Sequence, residues 1–153
     1  MNNLKDFIKT LNILYVEDEL NAREISTKVL KRFFNSVDAK ENGLEGYLAF
    51  KEKYFNNEKY DLIISDINMP KLDGMEMLEK IRGIDKQVPV IFVTARHESD
   101  ILLKAIELQI SSFIIKPLSI DAITEVINKA CEKLFLKNIV IEKNTQLELY
   151  LKT

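Results

Sequence analysis

Short apolar runs alternate along this chain with stretches in which apolar residues recur every three or four positions. Residues 11 to 16 (LNILYV) form such a run, stop at an acidic cluster, and suit a parallel strand buried on both faces. Residues 20 to 34 read as a helix. Ile25, Val29 and Phe33 recur at a spacing of four with Ala22 and Ser26 on the same side, which predicts a stripe facing the core. A weak strand near 36 to 40 and a helix near 43 to 55 follow, then YDLIIS at 60 to 65, the clearest strand, which ends at Asp66. Beyond a loop containing Pro70 and Asp73-Gly74, Met77, Leu78 and Ile81 mark another helix, and VPVIFV at 88 to 93 a fourth strand. Ile101, Leu102, Ala105 and Ile106 mark a helix and SFII at 112 to 115 a fifth strand. Ser119 is placed to cap a final helix that has Asp121 in its first turn.

Strands alternating with helices imply right-handed crossovers and a parallel sheet covered on both faces, so the expected class is a doubly wound α/β fold with a (βα)5 pattern. A length of 153 residues suits one core. Ile120, Ile123, Ile127, Ala130 and Leu134 alternate spacings of three and four, as expected of a helix packed on the sheet, and the same spacing could continue as a coiled-coil seam. Past Leu136 the stretch KNIVIEKNTQLELYLKT has no clean heptad and no helix-stop signal, so an extended C-terminal helix is expected. The division that follows is a lead-in at 1 to 10, the domain at 11 to 136 and a connector or helix extension at 137 to 153.

Composition narrows the function. The chain is 46% hydrophobic and 30% charged, which is ordinary for a soluble protein. Its net charge of -2 gives no general attraction to nucleic acid or anionic lipid, so neither is expected as a direct partner. The start MNNLKDFIKT has no apolar stretch for a signal peptide or membrane span, and the single Cys131 cannot form an internal disulfide; the expected compartment is the cytoplasm.

In open α/β sheets functional groups gather beyond the carboxyl ends of the strands. The first strand here delivers Glu17, Asp18 and Glu19, the third Asp66, the fourth Thr94 and the fifth Lys116. Crowded carboxylates raise one another's pKa unless a cation is present, and hard oxygen donors with room for water suit Mg²⁺. A carboxylate at the centre of such a site can attack phosphorus while the metal, a Lys and a hydroxyl neutralise the phosphoryl oxygens.

LYVEDE at 14 to 19, IISDINMPKLDG at 63 to 74, VTA at 93 to 95 and IIKP at 114 to 117 resemble the signature segments of the response regulator receiver domains of two-component signalling, of which the chemotaxis regulators are the simplest. The resemblance implies a flavodoxin-like five-stranded sheet of order 2-1-3-4-5. It implies a phosphoprotein whose acceptor is Asp66, with Lys116 pairing with the phosphoryl group and Thr94 turning its hydroxyl toward it. Glu17 and Asp18 form the acidic pair holding Mg²⁺, with Mn²⁺ as an alternative, and Asn68 offers its backbone carbonyl to the ion. Glu17 stands where the family more often has Asp, which makes Asp18 the firmer ligand. Phe113 occupies the switch position that follows Thr94, and Asn68 and Arg96 lie where the family tunes phosphoryl lifetime. The implied partners are a sensor histidine kinase or phosphotransfer protein, with a switched face formed by the last strand and the helices on either side of it. A homodimer through that face or the C-terminal helix, and a further C-terminal output domain, are also expectations of the resemblance. A receiver is not a conventional enzyme; it catalyses its own phosphorylation and dephosphorylation.

Taken singly, Thr94 reads as a β-favoured residue and Lys116 as a solvated charge; their weight comes from the set. Phe113 alone reads as a half-buried strand residue. Glu19 suits the start of the following helix, His97 a solvated loop, and Cys131 a small apolar helix residue. A phosphatase of the haloacid dehalogenase type shares the chemistry, but its nucleophile follows the first strand, whereas here the acidic pair does. A pseudo-receiver would not need the full set of Asp18, Asp66, Thr94 and Lys116. A flavin binder would be repelled by the EDELN loop at 17 to 21.

Overall fold

The computed structural model describes residues 3–95, 106–110, 112–116 and 119–152. Five parallel strands, β1 (Asn12–Val16), β2 (Ser36–Lys40), β3 (Leu62–Asp66), β4 (Val90–Thr94) and β5 (Ser112–Ile115), lie in the order β2-β1-β3-β4-β5. The expected doubly wound sheet and its strand order are therefore observed. The described helices are α1 (Leu4–Ile8), α2 (Leu20–Leu30), α3 (Gly43–Phe55), α4 (Gly74–Arg82) and α5 (Ile120–Lys152). The helix expected over 101 to 106 falls, except for Ile106, outside the described residues, as does Arg96.

Alternation along the strands divides the core into two layers. Ile13 and Tyr15 of β1, Ile64 of β3 and Val93 of β4 pack with Phe7, Leu30, Ile123 and Ile127 on one face. Leu14, Val16, Ile63 and Phe92 pack with Phe50, Met77, Leu78 and Ile81 on the other. Burial on both faces explains why β3 and β4 read as unbroken apolar runs. Among the described residues no helix is long and apolar enough to cross a membrane.

Three differences from the sequence reading have physical causes. Helix α2 ends at Leu30 rather than near 34, because Arg32 and Phe33 bond to carbonyls three residues back and tighten the last turn. Its buried side also differs from the predicted stripe. Ile25 is 65% exposed, while Leu30 and the following Phe34 are buried and Ser26 faces Tyr15 below it. The stretch read as a lead-in carries helix α1, capped by the Asn3 side chain, whose Phe7 packs 5.4 Å between ring centroids from Phe135 of α5.

Helix α5 begins as expected, with the Ser119 hydroxyl accepting from the Ala122 N–H at 3.1 Å. It then runs unbroken through the expected connector to Lys152. Ile123, Ile127, Ala130 and Cys131 are buried on the sheet, whereas Leu136, Val140, Leu147 and Tyr150 are exposed.

Candidate functional site

Strand register gathers the polar residues named above at one edge. Val16 pairs with Ser65, Asp66 with Val93, and Thr94 with Ile115, so Glu17, Asp66, Thr94 and Lys116 all leave the sheet at the same level. The Glu17 N–H donates to the Lys40 carbonyl at 3.0 Å and continues the sheet pairing one residue past β1. Glu17 is consequently 3% exposed. Asp18 turns outward, and Glu19 caps α2 by accepting from the Asn21 and Ala22 N–H groups, the role expected of it. Arg23, one turn into α2, donates to the Glu17 carbonyl at 2.9 Å and the Asp18 carbonyl at 3.3 Å, and so ties the acidic loop to its helix.

Asp66 sits at the end of β3 at 9% exposure. Its Oδ1 accepts from the Ile67 N–H at 2.8 Å, which fixes the carboxylate plane and leaves Oδ2 toward the pocket. The loop after it is held close by Gly74: a Cβ at that position would collide with the Asp66 backbone carbonyl, and the Gly74 N–H donates to the Ile67 carbonyl at 2.6 Å. Asp73 and Glu76 then form a capping box that starts α4.

Glu17, Asp18 and Asp66 offer carboxylate oxygens that all lie within 4.8 Å of one another. Lys116 bridges two of these acids, its Nζ 3.1 Å from Glu17 Oε1 and 3.1 Å from Asp66 Oδ2. Burial alone would lower the Lys116 pKa, but the Asp66 and Glu17 carboxylates raise it on balance, so the ammonium stays charged. Among the described residues Asp18 has no such cation within bonding distance; partial burial, and then the closeness of Glu17, push its pKa up. Among the described residues three close acids share one ammonium, which leaves them short of positive charge, and all-oxygen donors of this kind fit a hard divalent ion such as Mg²⁺.

Thr94 is buried at the end of β4, and Phe113 is half-buried on β5 with its ring 6.3 Å from that of Phe92. Asn68 is exposed two residues after Asp66. The geometry therefore brings Glu17, Asp18, Asp66 and Lys116 into one cluster and sets Thr94 at the same sheet edge. The sequence reading missed Gly74 and Arg23, which shape the site without entering it.

Comparison with known proteins agrees with this geometry. Residues 13–128 match the model of the response regulator receiver domain. The chain is 34% identical to chemotaxis protein CheY of Bacillus subtilis over 118 residues, covering 76% of this chain and 94% of that protein. It spans about half the length of other relatives, such as a probable transcriptional regulator of Porphyra purpurea, 37% identical and 54% covered. Among solved structures, the N-terminal domain of an uncharacterized Wolinella succinogenes protein superposes with a TM-score of 0.74 at 34% identity, covering 84% of this chain and 99% of that one. The CheX-CheY-BeF3-Mg complex of Borrelia burgdorferi matches with a TM-score of 0.69 at 28% identity, covering 76% of this chain and 86% of that one.

Proposed function

The chain belongs to the response regulator receiver family, and on that footing we propose that it is a two-component switch whose phosphoacceptor is Asp66. The observation that carries this reading is the Lys116 ammonium 3.1 Å from the free Asp66 oxygen, inside a cluster of three acids.

In the proposed step, an Asp66 oxygen attacks the phosphorus of a phosphohistidine on a sensor kinase or phosphotransfer protein. The new P–O bond forms as the P–N bond breaks, and the imidazole nitrogen leaves with the electron pair. Glu17, Asp18, Asp66 and the Asn68 carbonyl would hold Mg²⁺, which would supply positive charge beside the phosphoryl oxygens, and Mn²⁺ would suit the same donors. Lys116 trades its contact with Asp66 for one with a phosphoryl oxygen, and the Thr94 hydroxyl donates to another. Phe113 follows Thr94 inward and changes the face formed by β5 and its flanking helices. Attack by water on phosphorus regenerates the Asp66 carboxylate and releases phosphate, with Asn68 and Arg96 setting the rate. Residues 11 to 136 form the switching unit, working in the cytoplasm, and residues 137 to 153 a connector toward an output domain or a second copy of the chain.

The test is chemical trapping. After reaction with phosphoramidate, a small P–N donor, and Mg²⁺, borohydride reduction of an acyl phosphate leaves homoserine at the modified aspartate. Homoserine at position 66 alone supports the reading; its absence there, or its appearance at Asp18, overturns it.

A further inference from the structure

At the edge of the sheet where the strands begin, α1 and the turn that follows α2 meet the first half of α5 around a cleft of about 440 Å³. Its apolar lining comes from Leu4, Ile8 and Phe33, of which Ile8 is 4% exposed and belongs to the core. Lys5, Lys9 and Arg32 stand at its border, all three exposed. Among the described residues none of the three forms an ion pair. The cations are locally concentrated: Lys28 and Lys31 lie on the same end of α2, in a chain whose net charge is -2. Thr124 and Asn128 of α5 line the opposite side. The Thr124 hydroxyl donates to the Ile120 carbonyl at 2.7 Å, which leaves its oxygen as an acceptor. The Asn128 amide has no hydrogen-bond partner among the described residues.

An apolar floor bordered by exposed cations and by an amide, none of them paired among the described residues, selects a ligand with matching halves. The volume lies within the range of about 300–1,000 Å³ typical of small-molecule sites, so a discrete molecule fits better than an extended surface partner. A membrane would need apolar side chains projecting outward, whereas Ile8 faces inward. A nucleic-acid backbone would gain nothing from the Leu4, Ile8 and Phe33 floor. We propose that this cleft binds a free amphipathic carboxylate of the fatty-acid type, its head group on Lys5, Lys9 and Arg32 and its chain on Leu4, Ile8 and Phe33. The site uses no residue of the Asp66 cluster and goes beyond the phosphorylation reading.

Titrating the full chain with decanoate, below its micelle-forming concentration, in a calorimeter tests this. A Lys9→Glu/Arg32→Glu variant alters only exposed side chains, and a Lys86→Glu/Lys133→Glu variant makes the same charge change outside the cleft; circular dichroism checks that both keep the native fold. The expected result is one saturable site, at least tenfold weaker in the first variant, unchanged in the second, and at least tenfold weaker for decanol. Absence of saturable binding, equal weakening in both variants, or decanol binding as tightly as decanoate would each overturn the proposal, the last by showing mere apolar adsorption.

Discussion

Lys116 Nζ and Asp66 Oδ2 lie 3.1 Å apart although 50 residues separate them, and the same ammonium reaches Glu17, 99 residues away. The ammonium occupies the place where added positive charge has most effect, so it competes with any cation for those two carboxylates. Lys116→Ala is expected to tighten Mg²⁺ binding by at least about fivefold, since a unit charge near 4 Å is worth about 1 kcal/mol in water and more in a partly buried site. Phosphorylation by a small donor is expected to slow in the same variant. Calorimetric Mg²⁺ titration and the phosphorylation rate should therefore move in opposite directions; weaker metal binding in the variant would contradict the competition.

Metal binding should also stabilise the fold, because the three acids converge only in the native chain. At Mg²⁺ a hundredfold above its Kd the gain is about 2.7 kcal/mol. Thermal unfolding with and without Mg²⁺ measures it. Asp18→Asn should remove most of the response while leaving the metal-free Tm the same or slightly higher, since it removes a charge that burial, and then the neighbouring Glu17, disfavour.

Gly74 permits a backbone contact rather than a side-chain one. In Gly74→Ala the added methyl meets the Asp66 carbonyl and the Phe92 ring, and the expected cost is about 1–3 kcal/mol, read from urea unfolding. Phosphorylation should fall too, because the same shift moves the acceptor. A variant as stable as the parent would mean that the loop relaxes freely.

Cys131 is fully buried, and burial, with the nearby Asp61 charge adding to it, pushes its thiol up to about 12. At pH 8 the native protein should leave a disulfide reagent uncoloured over minutes, with one thiol appearing on denaturation. Rapid native reaction would show that α5 leaves the sheet readily.

Asp61 accepts from the Asn12 N–H at 2.8 Å, yet burial raises its pKa above the ordinary carboxylate value. A raised acid pKa in the native state means that ionisation costs stability, fully above the folded pKa and not at all once both states are protonated. Asp61→Asn keeps an acceptor and removes the charge. Its Tm should exceed the parent's at pH 7, and the difference should vanish by about pH 3. A difference that grows on acidification would reverse the assignment.

The sheet and its chemical edge were legible in the sequence because burial on both faces makes β3 and β4 continuous apolar runs, so that Asp66 and Thr94 stand out where those runs stop. The buried face of α2 was not. Spacing alone favoured Ile25, but the helix sets Ser26 and Leu30 over Tyr15 and turns Ile25 to solvent. Helix α1 has too few residues to show a period, and Phe7 and Ile8 hold it through contacts with distant parts of the chain. Gly74 and Arg23 act on backbone atoms, which no side-chain pattern reveals. No local rule joins Lys116 to Glu17 and Asp66; the ends of parallel strands put them at one edge, and the resemblance of whole segments gave Lys116 its role there.

In the proposed switch Asp66 accepts a phosphoryl group with the help of a metal. The most direct measurement is the intact mass of the protein after incubation with acetyl phosphate and Mg²⁺, beside an Asp66→Ala variant and a sample with excess chelator. One added phosphoryl group is expected on the native protein and none on either control. A phosphoryl group that persists in Asp66→Ala, or one acquired equally well in chelator, would contradict it.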